Sequence, residues 1–322
     1  MRDKKGPAMQ SSSQPPLGVR TTTVTGQRLR IAIRPGDGTR PPLVLMNGIG
    51  ANLELLQPFV DALAPAIEVL CFDVPGVGGS PPPAVPYRFA TLAWLIARML
   101  DQLGYGQVDV LGISWGGGLA QQFALQHRAR CRRLVLVSTA TGALMVPGRP
   151  AVLAKLATPQ RYLDPDYLAE IAPQLYGGNL RAHPEAVRAY ARAVHAVSLH
   201  GYLYQLLASL GWTSLPWLPL IRQPTLILAG DDDPIVPLVN AKLMQRLIPD
   251  ARLHVFHDGH LGLLTQAREL APVVAQFLAE QPRPDPSRSR SGSAPGRLWG
   301  IVLLMQQNLT QLLTRLQQRR TR

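Results

Sequence analysis

Apolar residues along this chain gather in short unbroken runs instead of alternating with polar ones. Leu43–Met46, Ile67–Phe72, Val108–Leu111, Leu134–Ser138, Thr225–Ala229 and Arg252–Phe256 read as strands, most of them apolar throughout, and Leu29–Ile33 as a further one. Between them the period changes. Phe89–Leu103 repeats its large apolar residues at helical spacing (Leu92, Leu95, Ile96, Met99, Leu103), and Leu119–Leu125 and Ala267–Leu278 are compatible with helices. Strands that alternate with helices and are apolar on both faces predict an α/β fold with a mostly parallel central sheet flanked by helices.

One region breaks the alternation. Residues 143–221 hold helical patterns at Leu168–Leu175, Glu185–Val197 and Tyr202–Leu210, several prolines and no strand. An insertion of that kind between two strands predicts a helical cap over the catalytic edge of the sheet, with the core made of 21–142 and 222–280. Residues 1–20 are expected to be disordered. Residues 281–297, rich in Pro, Ser and Arg, read as a linker. In 298–322 the apolar positions Leu298, Val302, Met305, Leu309, Leu312 and Leu316 recur four and three apart, which predicts a basic amphipathic tail helix of heptad type.

Composition narrows the function classes. The 322 residues are 46% hydrophobic, enough for a sizeable core, but no apolar run approaches the roughly 20 residues that span a bilayer. The N-terminus is charged and then polar, without the apolar stretch of a secretion signal. The two cysteines, Cys71 and Cys131, lie within or beside predicted strands and are expected as buried free thiols, which fits a cytoplasmic location. The net charge of +13 suggests nucleic acid until it is mapped: residues 281–322 carry eight arginines and one acid, and residues 1–20 four bases and one acid. The body is nearly neutral, and no nucleic-acid-binding motif accompanies the basic tail.

Chemistry enters with Gly112-Ile113-Ser114-Trp115-Gly116, a G-x-S-x-G sequence between a predicted strand and a predicted helix. That context predicts a nucleophile elbow, with Ser114 on a sharp turn and Gly112 and Gly116 where strand and helix approach too closely for side chains. A serine hydroxyl needs a base, and the base needs an acid to hold its tautomer. On this architecture the chain order is serine, acid, histidine. The acid is sought in Asp231-Asp232-Asp233-Pro234, directly after a strand. Asp233, next to the proline, is favoured, with Asp231 and Asp232 as alternatives. The base is sought in His257-Asp258-Gly259-His260. His260 is favoured, His257 is the runner-up, and His254 lies inside the strand. The oxyanion of a tetrahedral intermediate needs backbone N–H donors, here expected from Trp115 and from Ile49 in Asn47-Gly48-Ile49-Gly50-Ala51, whose glycines let the backbone approach substrate. No cofactor and no metal are expected.

With these residues placed, the chain resembles the α/β-hydrolases, and within them the intracellular depolymerases of medium-chain-length poly(3-hydroxyalkanoate). The resemblance rests on Phe72-Asp73-Val74-Pro75-Gly76-Val77-Gly78-Gly79-Ser80, Asn47-Gly48-Ile49-Gly50-Ala51-Asn52-Leu53-Glu54-Leu55 and Ser114-Trp115-Gly116-Gly117. It continues in Gln121-Gln122-Phe123-Ala124, Tyr176-Gly177-Gly178, Gly211-Trp212-Thr213-Ser214 and Leu228-Ala229-Gly230-Asp231-Asp232-Asp233-Pro234. It covers roughly residues 20–280 and implies a serine esterase acting on a storage polyester at the surface of cytoplasmic granules, with Ser114, Asp233 and His260 as its triad. The related polymer synthases place cysteine at the nucleophile position, so serine there speaks against synthesis. The tail is not covered. It would lie on the granule surface, apolar face inward, or pair with a second copy to form a homodimer. A carboxylesterase or C–C bond hydrolase acting on small soluble substrates is the alternative function.

Overall fold

The structure is a computed structural model that describes residues 17–158, 160–183, 185, 187, 188, 191 and 198–281. The expected linker beyond Gln281, the expected tail helix, most of the expected disordered segment and much of the helix expected at Glu185–Val197 lie outside the described residues. The described strands form a single eight-stranded sheet. In chain order they are β1 (Gly18–Val24), β2 (Gln27–Arg34), β3 (Leu43–Met46), β4 (Val69–Phe72), β5 (Val108–Ile113), β6 (Cys131–Val137), β7 (Thr225–Gly230) and β8 (Ala251–Phe256). Across the sheet the order is β1-β2-β4-β3-β5-β6-β7-β8. β1 and β2 pair antiparallel, β2 runs antiparallel to β4, and all other neighbours are parallel. This is the mostly parallel sheet that the apolar runs predict.

β1 corrects the N-terminal boundary, since it begins at Gly18, inside the segment expected to be disordered. Its sequence, Gly-Val-Arg-Thr-Thr-Thr-Val, has no apolar face, and it is exposed along nearly its whole length. It holds by a full ladder to β2 and by a two-residue turn in which both Thr25 (φ 49°) and Gly26 (φ 86°) lie in the left-handed region, the geometry that suits a tight hairpin.

The helices are α1 (Gln57–Ala62), α2 (Phe89–Gln102), α3 (Trp115–Gln126), α4 (Pro150–Ala157), α5 (Gln160–Leu163), α6 (Pro165–Tyr176), α7 (Leu199–Ser209), α8 (Leu238–Leu247), α9 (Gly262–Thr265) and α10 (Ala267–Ala279). Alternate residues of the strands serve opposite faces of the sheet. Val44 and Met46 of β3 join a core with α2, α3 and α8, whereas Leu43 and Leu45 join one with α1 and α10. A third cluster gathers Val152, Leu168, Ile171, Leu175 and Leu180 of the inserted region around Leu55 and Ile235. Both cysteines are free and buried, and burial pushes the Cys71 thiol up to about 12. No helix among the described residues is long and apolar enough to cross a membrane.

Candidate active site

The site is built first from backbone. β5 runs through the middle of the sheet, buried at every position, and ends at Ile113. The chain then turns at Ser114, whose φ of 53° and ψ of −117° are unusual for any residue but glycine, and enters α3 at Trp115. Such a conformation costs roughly 1–3 kcal/mol and survives only where its surroundings hold it. Here they do. Ser114 N–H donates to the Val137 carbonyl (2.9 Å), while the Ser114 carbonyl accepts from Gly117 N–H (2.9 Å) and from the Thr139 hydroxyl (2.7 Å). The glycines explain why the strand and helix come so close. A Cβ on Gly112 would stand 2.3 Å from the Gly116 carbonyl oxygen, and one on Gly116 would stand 2.1 Å from that of Met46.

Two loops bring partners to the serine. Beyond β8, the His260 ring is 5% exposed, with Nε2 at 2.9 Å from Ser114 Oγ and Nδ1 at 2.8 Å from Asp233 Oδ2. With the Nδ1 hydrogen donated to the carboxylate, Nε2 is the acceptor for the serine hydroxyl. The other carboxylate oxygen of Asp233 accepts from the N–H groups of Ile235 and Val236, both at 2.9 Å, so the carboxylate is held from both sides. The alternatives go elsewhere. Asp231 pairs with His257, which is almost fully exposed, and Asp232 pairs with Arg181 and accepts from Gly178 N–H. His254 stays in β8.

Ile49 borders the same cavity as Ser114 and His260, and the Trp115 N–H lies in the first turn of α3, where a helix offers its amides no internal acceptor. Of the two loop glycines, a Cβ on Gly48 would meet nothing closer than Ser114 Cβ at 3.8 Å, so a side chain there would fill the space beside Ser114. The Gly50 N–H donates to the buried Gln205 side chain (2.8 Å), and the Gln205 backbone carbonyl accepts from the Trp115 indole (2.8 Å). Gln205 belongs to α7, in the inserted region.

The motifs of the resemblance that carry no reacting group join distant parts of the chain. Gln121 and Gln122 on α3 accept from Ser214 Oγ (2.6 Å) and from the Trp212 indole (2.9 Å). The turn at Tyr176-Gly177-Gly178 lies against the acid and base loops. The Tyr176 carbonyl accepts from His260 N–H (2.7 Å), and a Cβ on Gly178 would fall 2.0 Å from Gly259 N. Asp258, between β8 and His260, accepts from Asn179 N–H (2.8 Å), from its side-chain amide (2.9 Å) and from the Thr265 hydroxyl (2.6 Å). In the glycine-rich loop after β4, Asp73 is fully buried and takes the N–H groups of Leu53 (2.8 Å) and Gly79 (2.9 Å). Burial raises its carboxyl above the ordinary range.

A cavity of about 210 Å³ opens on Ser114. Leu55, Leu156, Tyr202, Leu206, Ile235 and Leu264 make its wall apolar, and Arg161 of α5 also lines it. The apolar wall suits an acyl chain. Sequence reading missed Arg161 and Gln205, because nothing within α5 or α7 marks which face meets the cavity.

Comparison with known proteins agrees with this fold. The family model described as alpha/beta hydrolase fold matches residues 41–267. A poly(3-hydroxyalkanoate) depolymerase of Ectopseudomonas oleovorans is 53% identical over 266 residues, covering 83% of this chain and 94% of that protein. A 2-hydroxymuconate semialdehyde hydrolase of Pseudomonas putida is 32% identical over 66% of this chain and 77% of its own. Among solved structures, the enol-lactonase from Burkholderia xenovorans LB400 superposes with a TM-score of 0.70 over 81% of this chain and all of its own, at 24% identity, a likeness of fold. The chain belongs to the alpha/beta hydrolase fold family, as an ester-cleaving hydrolase related to poly(3-hydroxyalkanoate) depolymerases.

Proposed function

We propose that this protein hydrolyses the ester bonds of poly(3-hydroxyalkanoate), with Ser114 as nucleophile, His260 as general base and acid, and Asp233 as the group that orients and stabilises the imidazolium. The observation that carries the chemistry is the hydrogen-bonded chain Ser114–His260–Asp233 at 2.9 and 2.8 Å beside an apolar cavity. The substrate is inferred from the relative at 53% identity.

His260 takes the Ser114 proton as Oγ adds to the ester carbonyl. The oxyanion is held by the backbone N–H groups of Ile49 and Trp115 in our reading, and a helix N-terminus is a favourable place for that charge. Collapse of the intermediate breaks the acyl–oxygen bond. The departing alkoxide takes the proton from His260 and leaves as a hydroxyl-ended chain. Water, deprotonated by the same histidine, then cleaves the acyl-enzyme and restores Ser114. We read residues 143–221 as the cap over this site, and the basic segment 298–322 as the part that holds the enzyme to a granule in the cytoplasm. Co-sedimentation with granules should fall when 282–322 are deleted.

Incubation with purified medium-chain polymer, followed by mass spectrometry of the products, tests the reading. Soluble 3-hydroxy acids or short oligomers from the wild type, and none from Ser114→Ala, are expected. Turnover of p-nitrophenyl octanoate without attack on polymer would favour a hydrolase of small soluble substrates, the class to which the 32% identical relative belongs by name.

A further inference from the structure

The cavity wall contains one feature that ester cleavage does not require. Arg161 lines it although the surrounding wall is apolar, and the side chain is only 3% exposed. A guanidinium stays protonated at any working pH and offers five N–H donors in a planar fork that matches a carboxylate. The structure holds this one in a definite place. Nη1 donates to the Tyr176 hydroxyl at 3.1 Å, and the guanidinium carbon stands 5.9 Å from the centre of the Tyr202 ring, which also borders the cavity. Tyr176 in turn faces His260, with the two rings nearly parallel at 14° and their centres 6.4 Å apart. A fixed positive charge and the nucleophile therefore border one cavity.

An internal stretch of the polyester is neutral and gains little from such a charge. A chain end does carry a charge. In the last repeat the alcohol side of the terminal ester bears a free carboxylate, separated from the ester oxygen by two carbons. We propose that Arg161 binds this terminal carboxylate and so favours cleavage of the last ester of a chain or of a short oligomer, releasing the alcohol half as a free 3-hydroxy acid. The proposal rests on the polyester reading above and adds to it which bond is preferred. The bond balance is that of ordinary ester hydrolysis. The carboxylate is unchanged and serves to position the leaving group, with the Tyr176 hydroxyl able to donate to the same oxygens.

The experiment compares two soluble substrates, the 3-hydroxyoctanoate dimer as the free acid and the same dimer as its primary carboxamide. The two differ in charge and scarcely in size. For the wild type, kcat/KM on the acid should exceed that on the amide by about ten- to a hundred-fold, the worth of a charge-assisted hydrogen bond in a water-poor site. Arg161→Met should bring the ratio close to one, and Arg161→Lys should keep part of it. The ratio within each variant is unaffected by a general loss of folded enzyme. A wild-type ratio near one, with polymer still hydrolysed, overturns the role of Arg161 alone, as does a ratio that persists in Arg161→Met. If neither dimer nor polymer is cleaved while p-nitrophenyl octanoate is, the polyester reading falls and this assignment falls with it.

Discussion

Two segments meet at the cavity and are held there in opposite ways. The elbow, β5 through α3, is fixed mainly by backbone contact: glycines 112 and 116 touch backbone carbonyls, and Ser114 is clamped in a strained conformation by three hydrogen bonds, two to backbone groups and one from the Thr139 hydroxyl. Helix α7 reaches the same cavity with Tyr202 and Leu206, but it packs by one face only. Gly201 touches Gly76, Ser198 Oγ donates to the Gly76 carbonyl at 3.1 Å, and Gln205 bridges Gly50 and Trp115. Its outer face, with Leu199, Leu203, Leu207 and Leu210, is exposed. Ser114 sits on the segment clamped by its neighbours, and part of the cavity wall sits on a helix with one face open to solvent.

The largest effect should come from the group that reaches the elbow's serine through His260, altered without changing its shape. Asp233→Asn keeps the N–H contacts at Ile235 and Val236 but offers His260 an amide in place of a carboxylate, which no longer enforces the tautomer or stabilises the imidazolium. A loss of about 10⁴-fold in kcat on p-nitrophenyl octanoate is expected, with Tm little changed. A loss under tenfold would mean that Asp233 acts only as a turn-forming acid.

Gly116→Ala tests whether the elbow is rigid because its neighbours leave no room. The added methyl meets the Met46 and Asn47 carbonyl oxygens, at 2.1 and 2.4 Å, and both are backbone atoms. Relief requires β3 or α3 to shift. A cost of about 3 kcal/mol is expected, read as a lowered midpoint in urea unfolding at unchanged m-value. A midpoint equal to wild type would show that the elbow yields easily and would end the contrast with α7.

This contrast also explains what the sequence made legible. The elbow is encoded within a dozen residues, because the demand for glycine at 112 and 116 and for a strand and a helix around them is local. The order serine, acid, histidine follows from strand order, so Asp233 and His260 could be sought in short loops. Choosing Asp233 over Asp231 and Asp232 is a question of which carboxylate faces inward, and only the fold brings one of them to 2.8 Å from His260. The apolar runs gave away seven of the eight described strands, β2 through β8, but β1, exposed and threonine-rich, owes its existence to its ladder with β2 and has no pattern of its own. Arg161, Gln205 and the Gly76–Gly201 contact join segments that lie far apart in the chain. Helical spacing says that α7 has two faces; it does not say which faces the cavity.

The smallest of these effects should come from α7, the segment held by one face, and it is the most informative about selection. Gly201→Ala places a Cβ 1.9 Å from the Gly76 carbonyl oxygen, so helix and loop must separate. Unlike β3, α7 has its exposed outer side to move toward, and the strain should be relieved by displacement at about 1–2 kcal/mol. Displacement carries Tyr202 and Leu206 away from the cavity while Ser114, His260 and Asp233 stay in place. The expected outcome is therefore a change of selectivity, with KM rising several-fold for p-nitrophenyl octanoate, which needs the apolar wall, and hardly at all for p-nitrophenyl acetate, which does not. An equal loss of kcat on both esters would mean that α7 and the elbow move as one body, since a shift of the helix would then have disturbed the reacting groups themselves.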